Sequence, residues 1–265
     1  AVERSLQAPE FTAAAKHFLE ALRSRLSARL AQGAGIEILI GQYREAIDVL
    51  VRKAWEIALP ADAMLALVAT GGYGRGELYP HSDIDVLICG GESEQARHAG
   101  AIAGFSAMLW DAGLKLGLAV RSIDQCLEVG RADPSTYTAL LETRYLAGDT
   151  ALPQALESAV RSPEVFEARE YFEAKRIEQR HRHAKFHNTA DNLEPNLKEG
   201  PGGLRDLHTL GWMALRTFGV RELEPLVGLG HLGPDEAAAL ARERRAQDEP
   251  SRPAATNLDL ITQLY

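Results

Sequence analysis

Two short apolar segments separated by a glycine-rich stretch constrain the fold of this chain most strongly. Residues Met64–Thr70 lead directly into the cluster Gly71-Gly72-Tyr73-Gly74-Arg75, and Ile84–Ile88 follow before Gly90-Gly91. Short apolar runs that end at glycines are typical of buried strands entering tight turns. The pattern therefore predicts two neighbouring strands of a sheet, with a glycine turn after the first of them.

Helical periodicity on both sides of these strands predicts an α+β fold, in which helices pack on a small mixed sheet. The predicted elements are helices over 11–32 and 36–59, strands over 64–70, 84–88 and 114–121, a helix over 92–111, helices opened by Ser122 and by Asp133-Pro134, a long helix from Ser162-Pro163 to about His187, and a helix over 204–218. We divide the chain into N-terminal helices (1–60), a sheet-containing core (61–150) and a helical region (151–265) with a glycine-rich loop at 199–203. The charged segment Arg242–Arg252 is expected to end a helix and continue as a linker.

Composition excludes several classes of function. The net charge is −8, from 37 acidic and 29 basic residues, whereas proteins that grip a nucleic-acid backbone usually concentrate positive charge. No apolar run is long enough to cross a membrane, and the first residues carry no secretory signal. Two cysteines are too few for a disulfide framework and fit a reducing cytoplasm. We interpret Cys89, Cys126, Trp110 and Trp212 as buried apolar residues.

The glycine cluster matches neither of two better-known phosphate-binding motifs. The dinucleotide fingerprint G-x-G-x-x-G fails because Glu77 stands where a glycine is required after Gly72 and Gly74. The P-loop fails because Glu77 also replaces the required lysine after Gly71 and Gly76. A glycine turn alone is therefore weak evidence of function.

Two aspartates at the mouth of the second strand make the evidence stronger. Side chains alternate along a strand, so Asp83 and Asp85 are expected on one face and Ile84 on the other, in the core. Paired carboxylates beside a phosphate-binding turn suit Mg²⁺, which prefers oxygen ligands and shares them with substrate phosphates. The alternative is that Asp83 is a turn residue, Asp85 an acceptor at a strand start, and the glycines only a bend.

This arrangement predicts nucleotidyl transfer. The phosphates of a nucleoside triphosphate would lie on the glycine turn, and metal held by Asp83 and Asp85 would bridge them. An acceptor hydroxyl would then attack the α-phosphorus as pyrophosphate leaves. Arg75 is a candidate for pairing with a phosphate oxygen.

Two segments resemble a known family. The stretch from Gly71 to Leu78, followed by Pro80 and Ser82-Asp83-Ile84-Asp85, resembles the signature of the nucleotidyltransferase superfamily that includes DNA polymerase β. The stretch from Leu193 to Asp206 resembles a second signature, that of the bacterial bifunctional uridylyltransferase/uridylyl-removing enzymes. The resemblance covers roughly residues 10–236.

The resemblance implies transfer of UMP from UTP to a tyrosine hydroxyl of the PII nitrogen-signalling protein. It implies that Asp83 and Asp85 are metal ligands and that Gly71, Gly72 and Ser82 belong to the nucleotide site. Family members also carry an HD phosphohydrolase domain and two ACT domains, but the sequence contains no His-Asp dipeptide. We therefore expect neither uridylyl removal nor a glutamine response from this chain.

The superfamily often has a third carboxylate, but Lys115–Arg121 contains no acid. Asp111 is the best candidate for this catalytic role, with Asp206 a weaker one. Lys198 and Arg205, on either side of the glycine-rich loop, are candidates for contacting the triphosphate at a helix N-terminus, although the loop could equally be a structural helix cap. His183 and His187 have the spacing of a helical metal pair, but we interpret them as part of a basic helix face.

Two other functions remain open. One is adenylyl or nucleotidyl transfer to another protein or a small molecule, and the other is a nucleotide-sensing module without catalysis.

Overall fold

The computed structural model describes residues 8–189, 196–220, 225–231, 233–235 and 237–238. The chain forms two compact units, Ala1–Val160 and Arg161–Tyr265. Within the described residues, no helix has both the length and the apolar character needed to span a bilayer.

The described strands of the first unit form one four-stranded mixed sheet in the order β3-β2-β1-β4. Its strands are β1 (Leu65–Ala69), β2 (Ile84–Gly90), β3 (Leu116–Arg121) and β4 (Arg144–Gly148). Strand β1 is antiparallel to both β2 and β4, and β2 is parallel to β3. Every residue of β1 is buried, because a central apolar strand is covered on both faces. The α+β class and the three predicted strands are confirmed, whereas β4 was not predicted.

Eight helices are described in the first unit. They are α1 (Ala8–Ala31), α2 (Ile36–Ala58), α3 (Gly71–Arg75), α4 (Glu92–Arg97), α5 (Ala99–Asp111), α6 (Ile123–Ala132), α7 (Pro134–Leu141) and α8 (Ala151–Arg161, ending one residue past the boundary). The N-terminal helices α1 and α2 both contact α5. Trp55 of α2 meets Phe105 of α5 edge to face, with ring centroids 5.8 Å apart, so these helices belong to the same core as the sheet.

Local signals located most helix ends correctly. Ser122 and Gln125 form a capping box at the start of α6, and the Asp133 side chain caps α7 as predicted. The predicted helix over 92–111 is divided at His98, where the backbone leaves the helical region (φ −105°, ψ 14°). Helix α8 was missed, although Asp149 caps its first amides.

The second unit is helical where it is described, with α9 (Ala168–Lys185), α10 (Leu204–Phe218) and α11 (Pro225–Gly228). The bounds predicted for α10 are confirmed, but the predicted start of α9 at Ser162 is wrong. Residues 162–167 form a separate turn, in which Val165 N–H donates to Ser162 O and Glu167 precedes the helix. Segment Arg242–Arg252 lies outside the described residues.

Predictions of burial also had mixed outcomes. Cys89, Cys126 and Trp212 are buried, as expected. Trp110 is 55% exposed, so its assignment to the core was wrong. It lies near the end of α5, where its indole N–H donates to Leu116 O.

Candidate metal and nucleotide site

The glycine cluster forms the short helix α3 rather than an open turn. Its N-cap, Thr70, is extended and makes no side-chain cap. The first amide of α3 that bonds back into the chain is that of Gly74, which donates to Thr70 O at 3.0 Å. The N–H groups that precede it lie before the first intrahelical bond, as at any helix start. The segment predicted as a glycine turn is therefore a single helical turn that begins at Gly71.

The glycines of α3 serve different purposes. Gly71 adopts φ +55°, which side-chain-bearing residues rarely do. A Cβ on Gly74 would lie 1.7 Å from Glu142 O, so Gly74 is needed for close backbone packing. Only Gly71 and Gly72 thus remain as glycines that could admit a phosphate.

The β1–β2 pairing brings α3 beside the predicted carboxylates. Thr70 N–H donates to Asp85 O at 3.0 Å, and the Cβ position of Gly71 lies 3.8 Å from Asp85 Oδ2. Asp83 directly precedes β2, and both aspartates are accessible to solvent, although the Asp85 carboxyl is partly buried. Leu87, next on the Asp85 face of the strand, is buried. Only the entrance of this strand is therefore open to a ligand.

The electrostatics of the pair favour a cation. Partial burial raises the pKa of the Asp85 carboxyl, and the charge of Asp83 raises it further. Among the described ion pairs, none involves either aspartate. Two acceptor-only groups are therefore held close together without a basic partner, an arrangement that a divalent cation would relieve.

Gly117 on β3 makes room for this carboxylate and was missed by sequence reasoning. It stands directly opposite Asp85 in the parallel β2–β3 register. A Cβ at this position would lie 2.3 Å from Asp85 Oδ1. An isolated glycine inside a strand was the available signal, but only the register shows which residue it serves.

A third carboxylate beside the aspartate pair stays a prediction. Among the described residues, no group of three or more His, Cys, Asp and Glu side chains could hold a metal ion. Asp111 is exposed at the end of α5. Asp206, in the second unit, is bonded to Arg182 and His183.

Arg75 has a structural role that the sequence did not reveal. Its Nε donates to Glu77 at 2.9 Å and its Nη1 donates to Glu142. Burial acts to lower the pKa of Arg75, but the two carboxylates outweigh it and the pKa is raised. Contact between Arg75 and a phosphate stays a prediction, as does the part of Ser82, whose N–H donates to Tyr79 O.

The glycine-rich loop of the second unit is a self-contained cap. The amides of Leu204, Arg205 and Asp206 donate to Leu197 O, Lys198 O and Gly203 O, each at 2.9 Å. These are the amides that would have bound an anion at the start of α10. The structure therefore favours a helix cap over an anion-binding site in this loop. Triphosphate contacts by Lys198 and Arg205 stay predictions.

Side chains reinforce this cap. Asp206 accepts from Gly202 N–H at 2.8 Å and pairs with His183 at 2.9 Å and with Arg182. Arg205 pairs with Glu199 at 3.1 Å. The basic stretch of α9 thus includes two residues that hold the loop.

Comparison with known proteins supports the resemblance. The family described as GlnD PII-uridylyltransferase matches residues 170–248, and the putative nucleotidyltransferase family DUF294 matches residues 20–120. A bifunctional uridylyltransferase/uridylyl-removing enzyme of Xanthomonas axonopodis pv. citri is 52% identical over 235 residues, which is 89% of this chain and 27% of that protein. The resemblance to the uridylyltransferase family is confirmed.

A more distant relative of the same description agrees. The enzyme of Ectopseudomonas mendocina is 43% identical over 230 residues, or 86% of this chain and 26% of its own length. The chain thus spans about a quarter of the length of these relatives, which are named as uridylyltransferases, a class of nucleotidyltransferase.

Proposed function

We propose that this chain transfers UMP from UTP to a tyrosine hydroxyl of the PII signalling protein, releasing pyrophosphate. The observation that carries the proposal is the pair Asp83 and Asp85, without described ion-pair partners and beside Gly71. The relatives' name, uridylyltransferase, supports transfer of a uridylyl group, and the family description, PII-uridylyltransferase, supports PII as the acceptor. The excess of acidic residues fits a protein acceptor better than a nucleic acid.

The residues present fit Mg²⁺. Asp83 and Asp85 offer carboxylate oxygens, the ligand type that this hard cation prefers. The raised pKa of Asp85 reflects partial burial and an uncompensated like charge. Bound there, Mg²⁺ would offset negative charge on the phosphates during transfer.

The protein's own residues would bind and orient the nucleotide. Gly71 and Gly72 leave the start of α3 open to a phosphate group, and Asp83 and Asp85 fix the metal-binding side. The tyrosine oxygen then bonds to the α-phosphorus, the bond to the β-phosphate oxygen breaks, and the hydroxyl proton is released.

Two free, buried cysteines agree with a reducing compartment such as the cytoplasm.

A labelling experiment tests the proposal. The 265-residue chain is incubated with PII, Mg²⁺ and UTP labelled at the α-phosphate, and label on PII is measured. UTP labelled at the γ-phosphate serves as the control and should label nothing. Label from ATP but not from UTP would overturn the choice of nucleotide, and label on another acceptor would overturn PII.

A non-catalytic nucleotide-sensing module is the second candidate, because no third carboxylate joins the pair among the described residues. Calorimetry with UTP and Mg²⁺, run beside a pyrophosphate-release assay, separates the two. Tight binding without pyrophosphate release in the presence of PII would favour the sensor.

A further inference from the structure

The short segment Glu142–Arg144, at the start of β4, holds α3 at two points. Glu142 accepts from Arg75 through its side chain, and its backbone oxygen packs against Gly74. Arg144 donates to Tyr73 O at 3.2 Å. Three successive residues of α3 are thus contacted by one segment.

A buried carboxylate completes the second point of contact. Arg144 donates to both oxygens of Asp48, at 2.7 and 3.0 Å, and Tyr73 O–H donates to Asp48 Oδ1 at 2.7 Å. Burial and the Asp48 charge raise the pKa of Tyr73, so its hydroxyl remains a donor. Helix α2, helix α3 and strand β4 therefore meet at Asp48.

These groups are well shielded from water. Asp48 is 6% exposed, Glu142 3% and Tyr73 1%. An apolar cluster of similar volume would stabilise a core about as well as buried ion pairs do. Bidentate and charge-assisted hydrogen bonds add direction, which apolar contacts lack.

The contacts act on the geometry of the candidate site. At its start, α3 is fixed to β2 through the Thr70–Asp85 hydrogen bond; at its other end it is fixed by Glu142 and Arg144. A shift of α3 would change the distance between Gly71 and the Asp85 carboxylate. Resting on the proposed function, we infer that Asp48, Glu142 and Arg144 are positioning residues, which set where the triphosphate lies relative to Asp83 and Asp85.

Removal of one hydroxyl tests the inference. Tyr73→Phe deletes the donor to Asp48 and leaves the Asp48–Arg144 pair in place. The matched control is Tyr137→Phe, since Tyr137 is equally buried and donates its hydroxyl to Val160 O at 3.1 Å. UMP transfer to PII is measured as kcat and KM for UTP, together with the thermal unfolding midpoint.

We expect Tyr73→Phe to lower kcat by up to about 100-fold, the size of effect that a displacement near 1 Å produces. Tyr137→Phe should lower the unfolding midpoint by a similar amount and leave kcat and KM unchanged. Equal kinetics for the two variants would overturn the inference while the proposed function stands. A wild-type chain that never labels PII would instead overturn the proposed function, and the inference with it.

A rescue pair gives an independent check. Glu142→Ala removes one of the two carboxylates described at Arg75, whereas Glu142→Gln still offers an oxygen to it. A positioning role predicts that kcat falls in the first variant and is largely restored in the second. If both variants have a lower unfolding midpoint but a wild-type kcat at a temperature where they are folded, the role of Glu142 is merely structural.

Discussion

The two units each place an aspartate beside a glycine-containing segment, and the surroundings of these carboxylates are opposite. Asp85 has a second carboxylate as its neighbour, and partial burial together with that charge raises its pKa. Asp206 is also partly buried, but hydrogen bonds from Arg182, Gln179 and Gly202 outweigh burial and lower its pKa. Asp85 therefore has no basic partner among the described ion pairs, whereas Asp206 is hydrogen-bonded to several donors.

This difference indicates a ligand-binding role for Asp85 and a structural role for Asp206. A carboxylate that is already paired gains little from a ligand, whereas two unpaired acids gain from any cation that neutralises them. In the sequence alone, both segments resemble ligand-binding sites, because each combines glycines with acidic and basic residues. Only their partners distinguish them.

The largest expected effect is on activity at the aspartate pair. Asp83→Asn and Asp85→Asn should each lower kcat/KM for UMP transfer by about 10²–10³-fold, the range for losing one group that stabilises transition-state charge. The unfolding midpoint without metal should stay the same or rise, since one of two like charges is removed. Asp62→Asn, at an exposed turn residue, is the control, and unfolding of Asp85→Asn would contradict the comparison.

Removal of the Asp206 carboxylate should lower the stability of the fold. Asp206→Ala removes one partner of Arg182, whose side chain is 9% exposed and keeps its hydrogen bond to Glu199 O, so we expect a cost of about 1–3 kcal/mol in unfolding free energy. Urea denaturation measures the change. Glu173→Gln breaks the exposed Arg176–Glu173 pair and should cost no more than about 1 kcal/mol; equal costs for both variants would show that the contacts of Asp206 stabilise the fold no more than an exposed ion pair does.

A methyl group at Gly117 should disturb the site without breaking the fold. Gly117→Ala places a Cβ against Asp85 Oδ1, and the displaced carboxylate should lower kcat by up to about 10²-fold. Gly104→Ala in α5 is the control, because nothing lies within 4 Å of its added Cβ. Steady-state kinetics at saturating Mg²⁺ compare the two, and unchanged kcat in Gly117→Ala would show that Asp85 does not need its observed position.

The smallest expected effects concern pH. Because the folded pKa of Asp206 is lowered, its ionisation stabilises the fold above the unfolded pKa, and this contribution is lost as pH falls through the folded pKa. For Asp85 the folded pKa is raised, so protonation at low pH favours the folded state. Urea midpoints measured from neutral to acidic pH should therefore fall less steeply in Asp206→Asn than in the wild type, and more steeply in Asp85→Asn.

Local chemistry explains what the sequence predicted well. Strand alternation placed Asp83 and Asp85 at the entrance of β2, and the capping residues Ser122 and Asp133 marked helix starts, because each depends on neighbours within a few residues. Comparisons with relatives then confirmed the resemblance that the two glycine-containing segments had suggested.

Long-range partners explain what was missed. Asp48 and Arg144 are 96 residues apart in the chain, so no local pattern connects them. The role of Gly117 depends on its register with Asp85, and the partners of Arg75 include Glu142, 67 residues away. The α10 loop looked like an anion site because the sequence does not show that its amides bond to Leu197 and Lys198.

The β1–β2 pairing has a consequence for how this region folds. Gly71 lies just after β1 and Asp85 near the start of β2, at the same end of this antiparallel strand pair, so pairing of two adjacent strands is enough to bring them together. Contacts close in sequence form early because they close short loops. The contact with Arg144 requires β4 to join the sheet, so we expect the aspartates and Gly71 to come together first and α3 to reach its final position last.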